Sequence, residues 1–145
     1  MKLFTIGVNE KSAEEFFSLL KKAGVQKVLD IRLNNKSQLQ GFSKGRDLKY
    51  FCEQCHGIKY EHVPMLAPSK ELLKSFRANR DWRAYERAFG KILRSRPARE
   101  IFDKAAGGLE SVCLLCTEVS PKQCHRRLAA EYLSKKLGGV EIVHL

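Results

Sequence analysis

Between Cys116 and Arg127 the chain reads C-T-E-V-S-P-K-Q-C-H-R-R, the densest run of reactive side chains in its 145 residues. Two thiols, an imidazole, a carboxylate and three cations fall within twelve positions. The thiolate is the nucleophilic form of cysteine, and neighbouring cations favour it. That makes Cys116 and Cys124 candidate nucleophiles. His125 titrates near neutrality and can carry a proton, and Glu118 is the other candidate carrier. Ser120-Pro121-Lys122-Gln123 also has the form of a helix start, with Ser as cap, Pro at the first position and Gln completing a capping box. A helix opening there would aim unpaired N–H groups at an anion, with Arg126 adding a full charge. Phosphate binding and thiol chemistry are therefore both open to this segment. The plainer alternative is a buried Cys124, a packing His125 and a solvated face of arginines.

The elements that must position these groups alternate between two periodicities. Short β-like runs occur at Leu3–Ile6, Val28–Ile31, Ile58–Val63, Val112–Leu115 and Val140–Val143. Helical patterns separate them. Ser12 and Glu15 form a capping box ahead of a helix that buries Phe16, Leu19 and Leu20 and stops at Gly24. A polar loop runs from Arg32 to about Lys44, and a helix from Arg46 to Cys55 stops at Gly57. Two or three helices fill 69–106, broken by Pro97, and a last helix ends at Gly138-Gly139. Strands separated by helices predict one α/β domain over 1–145, with a mainly parallel, doubly wound (Rossmann-like) sheet of about five strands. The run Val112–Leu115 is the most continuously apolar and is expected at the centre.

In such a sheet ligands bind beyond the carboxyl ends of the strands. The residues there are Gly7 to Asn9, Asp30 to Arg32, His62 to Pro64 and Cys116 to Glu118, so chain-distant polar groups should converge on one edge. On this reading Arg32 and Arg126 hold an anion. Asp30 and Glu118 orient them or act on a water, as a hydrolase would.

The same stretches carry a family resemblance. T-I-G (Thr5 to Gly7), D-I-R (Asp30 to Arg32), G-I-K-Y-E-H-V-P (Gly57 to Pro64), the Cys116–Arg127 segment and E-I-V-H (Glu141 to His144) occur in an order that resembles the domain of unknown function 488 family. The resemblance covers nearly the full length; C-x-E followed by C-H-R-R is its most distinctive part. It implies a compact α/β fold and a shared polar pocket, but no reaction. Carried over by position, the pocket residues are Thr5, Gly7, Asp30, Arg32, His62, Cys116, Glu118, Cys124, His125 and Arg126. Val8-Asn9 stands where an aromatic and a hydroxyl residue are expected, and the loop after Arg32 lacks an expected proline.

Cys52-x-x-Cys55 and Cys113-x-x-Cys116 have zinc-like spacing. Residues three apart on a strand point to opposite faces, which assigns Cys113 to the core. Cys52 and Cys55 could share a helix face beside His56, but other ligands would have to come from elsewhere. Buried thiols are the expectation, with no metal and no cofactor. A nucleophile elbow, a phosphate-binding G-x-x-x-x-G-K-S/T loop, a dinucleotide G-x-G-x-x-G and a C-x5-R loop are all missing.

Charge supplies the second functional clue. Lys and Arg number 27 against 16 acids, giving +11 and a pI near 9.6. Residues 70–106 hold eleven of those cations against five acids. In the helix from Trp82 to Arg94, the cations Arg83, Arg87, Lys91 and Arg94 fall within about 80° of one another at helical periodicity. Trp82, Tyr85, Phe89, Ile92 and Leu93 occupy the opposite face. Such a stripe can follow a phosphate backbone, so the expected partner is a nucleic acid or nucleotide. An ordinary amphipathic helix with a basic outer face is the bland alternative. No apolar leader and no span-length apolar run is present, which makes a cytoplasmic chain with no membrane partner the expectation. Five cysteines then read as buried small residues, reactive thiols or metal ligands and not as a disulfide scaffold. The leading reading is a basic α/β protein with an anion pocket, associated with a nucleic acid or nucleotide, with hydrolysis as the reaction open to it. Its rivals are a thiol-dependent sulfur-transfer or redox enzyme using Cys116 or Cys124, and a non-enzymatic binding module.

Overall fold

The computed structural model describes residues 1–36 and 41–145. Part of the polar loop expected after Arg32, positions 37–40, lies outside the described residues. Five strands form one sheet: β1 (Lys2–Gly7), β2 (Lys27–Asp30), β3 (Lys59–His62), β4 (Ser111–Cys116) and β5 (Glu141–His144). Every pairing is parallel and the order is β3-β2-β4-β1-β5. This is the doubly wound α/β arrangement expected from the alternation of patterns. The apolar run of β4 does occupy the middle, where Val112 to Cys116 are all buried, as a strand covered on both faces requires.

Alternation along the strands divides the core in two. Leu3, Leu29, Ile31, Val112 and Leu114 face α4 (Trp82–Ser95), α5 (Ala98–Ala106) and α6 (His125–Lys136). Phe4, Ile6, Val28, Cys113 and Leu115 face α1 (Ala13–Lys22) and α2 (Gly45–Tyr50) with the π-helical turn Phe51–Cys55 that continues it. Cys113 and Cys116 therefore do point to opposite faces. α3 (Lys70–Asn79) packs outside, its Leu72, Leu73 and Phe76 half-buried against the first cluster.

Local signals place the helix starts. The Ser12 hydroxyl accepts from Glu15 N at 3.1 Å, and Ser69 and Asp81 cap α3 and α4 in the same manner. Chain order then brings the ends of β1, β2, β3 and β4 to one edge. Gly7 pairs with Cys116, Asp30 with Leu115, and Asp30 with His62.

The helix expected to open at Ser120 does not. α6 begins at His125 with Cys124 at its cap, and 117–124 is a loop. Ser120 Oγ instead accepts from Lys122 N at 3.2 Å, closing a turn. The loop is tied down before it could wind. Arg126 donates to the carbonyl oxygens of Glu118 and, at 3.0 Å, Val119. Glu118 and Val119 lie just before the expected box, and within it the Ser120 hydroxyl is taken up by the Lys122 N–H and does not cap Gln123.

Candidate functional site

Two clusters lie at the carboxyl edge, one on each side of the sheet. On the α1–α2 side Asp30, fully buried, grips Arg32 in a bidentate pair, Nε to Oδ1 at 2.8 Å and Nη2 to Oδ2 at 2.6 Å. The Tyr60 hydroxyl donates to the same carboxylate, and Arg32 Nη2 also donates to the Ser43 carbonyl at 2.8 Å. Burial alone would lower the Arg32 pKa, but the pair with Asp30 outweighs it and raises it. Burial and the Asp30 charge push the Tyr60 phenol up, so it stays a donor. His62 Nε2 lies 2.7 Å from the Arg32 carbonyl oxygen, bracing the turn out of β2.

On the α4–α6 side sit the thiols. Cys116 ends β4 and Cys124 caps α6, so a seven-residue loop returns the chain to its own starting point. Cys116 Sγ lies 3.4 Å from both ring nitrogens of His125. His125 Nε2 is 2.9 Å from the Ile31 carbonyl oxygen. A carbonyl only accepts, so that nitrogen carries the proton and Nδ1 keeps its lone pair for the thiols. Burial lowers the His125 pKa, with the Arg126 charge adding to the effect, which favours the neutral ring. The reactive atoms of Cys116, Cys124 and His125 all lie within 4.8 Å of one another.

Arg126 closes this cluster. It is fully buried, and among the described residues no carboxylate pairs with it. Besides the two loop carbonyls it donates to Thr5 Oγ1 at 3.4 Å and to Cys124 Sγ at 3.5 Å. A buried cation is costly without a compensating charge, and the thiol pair lies beside this one, with Cys124 Sγ at 3.5 Å. Burial would raise the Cys116 pKa. The Cys124 S–H, backbone N–H groups of Thr117 and Glu118 and the Arg126 charge outweigh it, and the thiol is lowered. Cys124, donating to that thiolate and buried, is raised. Of the two thiols, Cys116 is thus the one whose ionisation the site favours, and Cys124 the one it opposes.

Gly7 is a packing position. A Cβ there would overlap the Glu118 carbonyl oxygen and come within 3.0 Å of Arg126 Nη1. Its bare α-carbon lets the loop cross β1. Thr5 Oγ1 contacts His144 Nδ1 at 2.6 Å, and the two residues are register partners on β1 and β5. Glu118 contributes its backbone, while the residue itself is exposed. It borders a groove of about 520 Å³ with Phe76, Arg80, Val119, Ser120, Lys122 and Gln123.

The expected convergence thus divides. Thr5, Gly7, Cys116, Cys124, His125 and Arg126 come together; Asp30, Arg32 and His62 form the neighbouring cluster. Arg32 and Arg126 do not face one anion, because Asp30 and Arg126 contact opposite sides of the sheet and each guanidinium is occupied by internal acceptors. Tyr60 and the Ile31 carbonyl were missed. Tyr60 was legible, two residues before His62 on a strand paired with β2; the carbonyl left no mark in the sequence. Cys52 is buried, its thiol pushed up to about 12 by burial, while Cys55 is exposed and His56 stacks on Phe17 at 4.2 Å. The trio Cys116, Cys124 and His125 is instead the one metal-capable group among the described residues. The C-x-x-C spacings overlook it because its members come from a strand end and a helix start.

On the outer face of α4, Arg83, Arg87, Lys91 and Arg94 are all exposed, and none has a hydrogen bond or ion pair among the described residues. Tyr85, Phe89 and Leu93 are buried beneath them. Among the described residues, no helix is long and apolar enough to cross a membrane.

The family model described as "Domain of unknown function DUF488" matches residues 12–133. That span contains the Asp30–Arg32 pair and the thiol cluster, and leaves Thr5, Gly7 and His144 outside it. No curated protein and no solved structure matches the chain.

Proposed function

The chain belongs to the DUF488 family, and from its site we propose a thiol-dependent enzyme of the redox or sulfur-transfer type, with Cys116 as nucleophile and Cys124 as its resolving partner. The observation that carries this reading is the position of Cys116 Sγ, 3.4 Å from a His125 ring whose proton is committed to the Ile31 carbonyl. In thiol–disulfide exchange, the Cys116 thiolate attacks one sulfur of a substrate disulfide. A mixed disulfide forms and a substrate thiolate leaves. Cys124, giving its proton to Nδ1 of His125, then attacks the Cys116 sulfur and expels the second substrate thiol. Two electrons pass from the dithiol to the substrate, and a reducing dithiol restores the pair. Both sulfurs are buried, so the 117–124 loop must lift for a substrate to enter. An anion pocket between Arg32 and Arg126 is the weaker reading, because both guanidinia already have internal acceptors.

The test is a trapped intermediate. Cys124→Ser, reacted with a model disulfide, should accumulate a mixed disulfide at Cys116 that the unaltered chain resolves. Labelling confined to the exposed Cys55 would overturn the assignment.

The four exposed cations of α4, unpaired among the described residues, support a second reading, in which this face binds a nucleic acid. Affinity for a labelled oligonucleotide should then fall steeply as salt rises from about 50 to 200 mM, and Arg83→Glu/Arg87→Glu should weaken it across sequences. No binding at low salt would remove this reading.

A further inference from the structure

We infer that Cys116, Cys124 and His125 also form a three-ligand site for a borderline-soft divalent cation, with Zn2+ the best fit. Two thiolate sulfurs and one imidazole nitrogen are ligands that this ion accepts. A tetrahedral centre with Zn–S of about 2.3 Å and Zn–N of about 2.0–2.1 Å separates sulfur from nitrogen by roughly 3.6 Å. Cys116 Sγ stands 3.4 Å from His125 Nδ1, and all the ligand atoms lie within 4.8 Å of one another. Little movement is needed to close the set around an ion.

The surroundings have the features of an outer coordination shell. A metal-binding imidazole usually donates its other N–H to a carbonyl or carboxylate, which fixes ring and tautomer. His125 does so to Ile31, at 2.9 Å. Arg126 Nη1, 3.5 Å from Cys124 Sγ, is a donor to a ligating sulfur. Two thiolates balance the charge of a divalent ion, leaving the guanidinium to its loop carbonyls. No further His, Cys, Asp or Glu joins the trio among the described residues. Three protein ligands leave a fourth position for water or a substrate atom, the pattern of reactive rather than structural zinc sites. Occupancy would silence Cys116 as a nucleophile, so metal and disulfide substrate compete for the same sulfur.

The experiment is a Co2+ titration of the reduced, metal-free chain, followed by displacement with Zn2+. The expected result is one equivalent bound, with the visible bands of a tetrahedral thiolate site, lost on adding Zn2+. Cys124→Ser and His125→Asn should each weaken binding by at least about 100-fold, since even outer-shell losses reach that range. Cys55→Ser should leave it unchanged. A variant that misfolds is bypassed by a second measurement on the unaltered chain. One equivalent of Zn2+ should slow alkylation of Cys116 and Cys124, mapped by mass spectrometry, while Cys55 still labels. Absence of a stoichiometric Co2+ complex, binding unaffected by both variants, or equal labelling of Cys116 with and without Zn2+ overturns the site. A mixed disulfide that fails to form at Cys116 would refute the exchange reaction but leave these results standing, and the converse holds.

Discussion

Replacing Gly7 by alanine tests how the thiol loop is held. The added Cβ would overlap the Glu118 carbonyl oxygen and press on Arg126 Nη1 at 3.0 Å. Neither neighbour yields without cost, because the carbonyl is main chain and the guanidinium is buried and bonded on several sides. Forcing a methyl into such a site costs about 1–3 kcal/mol. With an unfolding entropy of about 2.1 cal/mol/K per residue, a chain of 145 residues loses roughly 3 °C in Tm per kcal/mol. Gly7→Ala should therefore lower Tm by about 3–10 °C in a circular-dichroism melt. The same displacement lifts the loop from Cys116, so titration with a chromogenic disulfide should show this thiol reacting several-fold faster. An unchanged Tm together with an unchanged thiol rate would refute the close approach of β1 and the loop.

Asp30→Asn leaves the buried Arg32 without its counter-charge and should cost about 3–5 kcal/mol by denaturant unfolding. Tyr60→Phe removes only one donor to that carboxylate and should cost about 1–3 kcal/mol. His125 has a folded pKa below its unfolded value, so unfolding takes up a proton as pH falls. Its contribution is complete above about pH 6.5 and declines below it, by at most about 1.4 kcal/mol per pH unit. In metal-free protein, His125→Gln should flatten the stability profile between pH 7 and 5; an unaltered slope would contradict a buried neutral ring.

Much of the fold could be read from local pattern. The capping box at Ser12, the apolar run of β4 and the aromatic stripe of α4 each follow from neighbours in sequence, and each took its expected place. Strand alternation likewise separated Cys113 from Cys116. The site was legible in its membership and less so in its grouping. Asp30 ends β2 with its side chain on the α1–α2 face, while Arg126 stands in the first turn of α6 on the other face, and an argument from strand ends alone merges them. The start of α6 was misread for a related reason. Ser120-Pro121-Lys122-Gln123 has the local chemistry of a helix start, but the Ser120 hydroxyl closes a turn onto Lys122 N, and Arg126 holds the preceding Glu118 and Val119 carbonyls in the loop. Gly7 entered the expected pocket through its place at a strand end and the family resemblance, and only the crossing loop reveals what its missing side chain accommodates.

The pairing of Cys116 with Cys124 is most directly tested by equilibrating the chain in thiol–disulfide buffers of graded potential and mapping the product by mass spectrometry. A single two-electron transition that joins these two cysteines and leaves Cys52, Cys55 and Cys113 reduced is the predicted result. A chain that stays fully reduced throughout, or one that oxidises first between Cys52 and Cys55, would contradict it.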